Sequence, residues 1–239
     1  MKRTFVALSL AAALVPAAAL ADHASARFTV RVENVSTAAS LQLSTGGTAP
    51  APTSPVLWLT HTGVAPLFKP GTADRGQGLE ALAEDGNPGR LVESCKGAKG
   101  VSGVGAQAIP VGETQAGPAL PGKAFEFSFT AKHGERLTLA MMFGQSNDWF
   151  YAPGEKGIAL WDSKGMPISG DVTSQLMLWN AGTEVDEEPG VGANQGPRQK
   201  AANTGPAENG KVGPAKGYAV PPVQQVIKVT ITPDAMAVK

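Results

Sequence analysis

An all-β fold, an antiparallel β-sandwich of seven or eight strands with long Gly/Pro-rich loops, follows from three features of the sequence. Several runs alternate apolar and polar residues with the period of two that a half-buried strand requires. Turn formers are abundant, with 29 glycines and 19 prolines in 239 residues, and they separate those runs. Helical periodicity is confined to one short stretch. Antiparallel sheets with one face on a core and one in water produce that alternation, and stacking two of them buries both apolar faces.

Taken in order, MKRTFVALSLAAALVPAAALA (1–21) has a basic start, an apolar middle and a small-residue Ala19-Leu20-Ala21 end. This is the pattern of a secretory signal cleaved after Ala21. It predicts one exported domain over 22–239, secreted or periplasmic. No later segment reaches the roughly 20 apolar residues of a membrane span. RFTVRVENV (27–35) puts Phe28, Val30 and Val32 on one face and Thr29, Arg31 and Glu33 on the other, and VLWLTHT (56–62) is rich in β-formers. GQGLEALAEDGNPG (76–89) offers Leu79, Ala81 and Leu82 for about two helical turns, stopped by Gly86 and Pro88. Its acids Glu80, Glu84 and Asp85 read as a solvated helix face.

Residues 88–121 read as loop, with a weak strand signal at 106–111. KAFEFSFTA (123–131) alternates Phe125, Phe127 and Phe129 with Glu126, Ser128 and Thr130, and RLTLAMMF (136–143) returns after His133-Gly134. The short connection predicts a hairpin. IALWD (158–162), SQLMLW (174–179) and VIKVTIT (226–232) supply further strands. Between the last two lies a Gly/Pro-rich stretch, 189–222, whose composition suits either a loop clamped over the sandwich or a mobile one.

Charge narrows the function. Twenty basic and twenty acidic residues cancel, so there is no nucleic-acid footprint. The single cysteine, Cys95, has no internal disulfide partner. His23, His61 and His133 are scattered, without zinc-ligand spacing. SNDWF (146–150) and LWNAGTEVDEE (178–188) each begin where an apolar run ends. They place the oxygen donors Asp148, Asn180 and Glu184 beside Trp149, Phe150 and Trp179, a donor set that suits a hard cation such as calcium. Asp and Asn also favour turns for local reasons. If the strands ending at Phe143 and Trp179 are neighbours, Asp148 and Asn180 share one ion. Trp149 and Phe150 read better as core plugs than as an exposed stacking platform. Glu184, Asp186, Glu187 and Glu188 repel one another unless a cation or Arg198 relieves them.

FTVRVENVS, WLTHT, PLF…GLEALAEDGNP, SNDWF and LWNAGTEVDEEPG followed by QGPRQ occur in this order from about Phe28 to Thr232. Together they resemble the spondin N-terminal domain, the module of F-spondin and mindin, in its bacterial stand-alone form. The resemblance implies an eight-stranded sandwich whose loops hold one calcium ion at one end. It carries one ligand onto Asp148, and a second onto Asn180 where the family has Asp. Glu184 stands for the last Asp of the D-A-G-T-D motif. The family's strand Glu has no clean match, and Glu126 is the only acid on its strand.

The expected function is a non-enzymatic binding or adhesion module with a calcium site and an unidentified protein or glycan partner. The alternative is a calcium-dependent carbohydrate-binding module using Trp149 or Trp161. A hydrolase is disfavoured by the lack of a nucleophile elbow or a paired-acid arrangement.

Overall fold

The computed structural model describes residues 25–234, so the leader expected at 1–21 lies outside the described residues. In chain order the elements are β1 (Ser25–Asn34), β2 (Leu41–Gln42), β3 (Thr48–Ala49), β4 (Val56–His61), α1 (Leu79–Asp85), α2 (Gly89–Cys95), β5 (Val101–Gln107), β6 (Ala124–Lys132), β7 (Arg136–Met142) and β8 (Trp149–Pro153). They continue with β9 (Ile158–Ala159), β10 (Gly170–Asp171), β11 (Leu176–Asn180), β12 (Gly213–Pro214), α3 (Val223–Val226) and β13 (Ile227–Pro233). The strands make two main antiparallel sheets. One runs β10-β13-β1-β6; the other runs β12-β11-β8-β7-β4-β5, with β9 also on β7. No helix among the described residues is long and apolar enough to cross a membrane.

The sheets pack face to face. Phe28, Val30 and Val32 of β1, Phe125, Phe127 and Phe129 of β6, and Ile227, Val229 and Ile231 of β13 share one core with Leu137, Leu139 and Met141 of β7 and Tyr151 of β8. The opposite, polar side of β1 and β6 carries Thr29 bonded to Ser128 and Arg31 beside Glu126. This is the alternation that the sequence displays.

The larger sheet is covered on both faces. Leu57 and Leu59 of β4, Ala140 of β7, Phe150 and Ala152 of β8 and Trp179 of β11 pack on Leu79, Leu82 and Ala83 of α1 and Leu91, Val92 and Cys95 of α2. Two-sided burial explains why β7, LTLAMM after its first residue, is almost wholly apolar. Helix α1 ends at Gly86, whose φ of 66° and 2.7 Å approach of a would-be Cβ to Ser54 Cβ both require glycine.

Three expectations are corrected. The runs around Phe127 and Leu139 do not form a hairpin: β6 pairs with β1, whereas β7 pairs with β4 and β8. The His133-Gly134 turn is an arch from one sheet to the other, because the one-sided β6 and the two-sided β7 need different neighbours. Residues 88–121 are not all loop, since α2 and β5 lie within them. The strand ends at Phe143 and Trp179 are not direct neighbours, because β8 lies between β7 and β11. The 189–222 stretch is clamped onto the fold by the bonds described next.

Candidate metal centre

Strand β8 brings the SNDWF and NAGTE segments together. Phe143 N–H donates to Trp149 C=O at 2.8 Å, closing the β7–β8 turn with Asp148 at its far end. Asn180 lies opposite Trp149 in the β8–β11 register, and Ala181 N–H donates to Asp148 C=O at 3.1 Å. Ser146 Oγ accepts from Trp149 N–H at 3.0 Å and fixes the turn. The site therefore sits at the end of the larger sheet away from the His133-Gly134 arch.

Asp148 is 0% exposed. Its Oδ2 accepts from Thr183 N–H at 3.1 Å and Glu184 N–H at 3.4 Å, while its Oδ1 has no hydrogen-bond partner. Burial, then the neighbouring Asp186, push its pKa up to about 7, and the two backbone N–H groups hold it back. Asp186 Oδ1 accepts from the Trp149 indole at 2.6 Å and from Asn180 Nδ2 at 2.9 Å. Burial raises Asp186 against those bonds. Trp149, only 1% exposed, is thus a core plug that also positions a carboxylate.

Asn180 turns its amide nitrogen to Asp186, while its Oδ1 accepts from Gly182 N–H. Glu184 is buried; its Oε1 accepts from Gly205 N–H at 2.8 Å and its Oε2 from Asn147 Nδ2 at 3.2 Å. Glu126 is not brought to this cluster. It lies on the solvent face of the four-stranded sheet, 3.5 Å from Arg31.

The site contains one acid that sequence reasoning placed on a solvated face. Glu84 on α1 is 1% exposed, and neither of its carboxylate oxygens has a partner. Burial pushes its pKa up to about 8; the Thr183 hydroxyl opposes this, and Glu184, Glu80 and Asp85 add to it. Thr183 Oγ1 is likewise buried and unpartnered. Glu84 flanks the apolar stripe of α1, a position that a two-layer sandwich would leave in water. The 189–222 strap ties down the end of the same helix: Gln199 Nε2 donates to Asp85 Oδ1 at 3.1 Å and Asn203 N–H to the same oxygen at 3.3 Å.

The rest of the acidic run is partnered by separate donors. Glu187 accepts from Asn194 N–H at 2.9 Å and Nδ2 at 2.7 Å, and Glu188 from Ser44 N–H at 2.8 Å. Arg198 ties the strap down instead of neutralising the run: its guanidinium donates to Gln145 Oε1 at 3.1 Å and to Gly192 C=O at 2.7 Å.

Gly182 lets the strap approach. Its φ is 70°, and a Cβ there would lie 2.6 Å from Lys211 N. We expect Gly182→Ala to cost about 2–4 kcal/mol in urea unfolding, because strain and the backbone clash add. A change below about 0.5 kcal/mol, the range of an ordinary surface substitution, would show that the strap yields freely.

The donor chemistry fits a hard cation in part. Asp148 Oδ1, both Glu84 oxygens and Thr183 Oγ1 are buried without hydrogen-bond partners, and an unpaired buried polar atom is costly. Asn180 and Glu184 have their oxygens committed to other donors. Among the described residues no group of three or more His, Cys, Asp or Glu side chains stands ready to hold a metal. Burial raises the pKa of the Cys95 thiol, and His61 is buried with Nε2 2.9 Å from Thr138 Oγ1. No protein-family model matches the chain, and no curated protein sequence matches it.

Proposed function

We propose that the chain is an exported, non-enzymatic binding module of spondin type that holds one calcium ion at Asp148. The framework would be the eight strands of five or more residues, β1, β4, β5, β6, β7, β8, β11 and β13. The observation that carries the reading is the unpartnered, fully buried Asp148 Oδ1 beside Asp186. A cation there offsets the burial and the Asp186 charge that raise the Asp148 pKa. Asp186 supplies the negative charge that Asn180 lacks, and Asn180 orients it. Carboxylates sealed this deeply are accessible to an ion and not to a scissile bond, which favours binding over catalysis.

The partner is a protein or glycan on the far side of the membrane crossed by the leader. The glycan reading gains no platform from Trp149, which is buried, or from Trp161, which packs edge-on against Phe28 at 5.4 Å.

Thermal unfolding in chelator and then in a calcium series, with magnesium as control, tests the ion. Occupancy at 100 times the dissociation constant adds about 2.7 kcal/mol. The expected result is a calcium-specific rise in midpoint that Asp148→Ala abolishes. No rise in the unaltered chain, or an equal rise in the variant, removes calcium from this site.

A further inference from the structure

Strand β6 ends its sheet, and its outer edge has no partner among the described residues. The hydrogen-bond pattern identifies which groups face outward. Lys123 C=O accepts from Asn34 N–H at 2.9 Å, on the β1 side, whereas Ala124 C=O accepts from Val111 N–H at 2.7 Å, on the other. In an antiparallel ladder a residue's N–H and C=O point the same way, and successive residues alternate. The backbone groups of Glu126, Ser128 and Thr130 therefore point away from β1, and none has a backbone partner elsewhere. Such an edge is a template for another strand. At its ends the template is closed: Val111 covers Ala124, and Lys132 N–H donates to Glu135 Oε2 at 2.7 Å.

We propose that this edge is a homodimer interface, in which β6 pairs antiparallel with β6 of a second copy about a two-fold axis at Phe129. Charge selects both the partner and the register. With the axis at Phe129, Glu126 of each copy faces Lys132 of the other, and Ser128 faces Thr130. Opposite charges directly across a ladder attract, and like charges repel. The same register puts the outward backbone groups of Ser128 and Thr130 face to face, so each donates and accepts across the axis. Shifting the axis by one residue to Ser128 would bring the backbone groups of Glu126 into the ladder as well, but it would set Glu126 against Thr130 and Lys132 against Ala124, so that neither charge meets an opposite one across the interface. A symmetric contact of this kind is self-complementary and closes at two copies. It leaves the Asp148 site at the sheet end free, and it is independent of the calcium reading.

Sedimentation equilibrium of the purified chain over a dilution series tests the interface. The expected result is a reversible dimer whose dissociation constant weakens at least about tenfold in Lys132→Glu and in Glu126→Lys, and recovers when both exchanges are combined. Both side chains are exposed, so thermal melts of the variants should match the parent and separate lost pairing from lost folding. A chain that stays monomeric throughout, or a dimer that neither single exchange weakens, overturns the proposal.

Discussion

In chelator, the protein is expected to lose stability as the pH rises from about 5 to 8, against the usual trend for a paired carboxylate. The cause is the pair of buried acids. Asp148 stands at about 7 against an ordinary 3.8, and Glu84 at about 8 against 4.5. Between those limits the folded chain binds more protons than the unfolded one. The stability each acid contributes is therefore complete below the unfolded value and is lost as pH climbs through the folded value. At 1.36 kcal/mol per unit, each acid accounts for a loss on the order of 3 kcal/mol. Together they would lower the midpoint by more than about 10 °C for a domain of this size.

His61 acts in the opposite sense. Burial lowers its pKa, so stability falls as pH drops below the unfolded histidine value. The metal-free optimum thus lies in mild acid. Asp148→Asn and Glu84→Gln remove the ionisation while keeping the shape, and each should raise stability at pH 8 by about the amount it had cost. Under the calcium reading, added calcium reverses the gain for Asp148→Asn. A midpoint that rises from pH 5 to 8 in chelator would mean that the acids are hydrated in solution.

Trp149→Ala should be the most damaging single substitution at this end of the fold. The indole is 1% exposed, lies 6.5 Å from Phe143 in a stacked arrangement and holds Asp186 through its N–H at 2.6 Å. Emptying that volume costs about 3–5 kcal/mol. Trp149→Phe separates packing from hydrogen bonding. It keeps most of the apolar volume and removes the donor, so a loss of about 1–2 kcal/mol is expected. Urea unfolding at neutral pH reads both. An Ala variant that loses under about 1 kcal/mol would place the ring outside the core, contrary to its burial.

The strands with one buried face were readable from sequence because their chemistry repeats every two residues. Phe28-Val30-Val32, Phe125-Phe127-Phe129 and Ile227-Val229-Ile231 are the inner face of one sheet in the structure. Elements buried on both faces were harder. β8 begins with Trp149 and Phe150, which point to opposite cores, so no alternation marks it as a strand. α2 begins at Gly89 with no side-chain cap, and β5 has glycines at 103 and 105 where the Trp58 ring lies across it at 2.9 Å from a would-be Gly105 Cβ. At the site, the motif positions Asp148, Asn180 and Glu184 do lie close together, because each borders the β8–β11 pairing. Glu84 was hidden, since the neighbours it is buried against, Thr183 and Glu184, come far later in the chain. Glu126 misled because an acid on a strand looks the same whichever way the strand faces.

Three segments distant in sequence converge on residues 180–188: α1, the β7–β8 turn with Asp148, and the strap that follows. No contiguous fragment contains the cluster, and neither sheet alone encloses it. Under the calcium reading, the ion recognises the finished tertiary structure and finds no equivalent in a partly assembled chain, so bound ion counts completed molecules. For a chain that leaves its compartment of synthesis unfolded, an ion plentiful only on the far side would act as a one-way catch, drawing folding to completion after export.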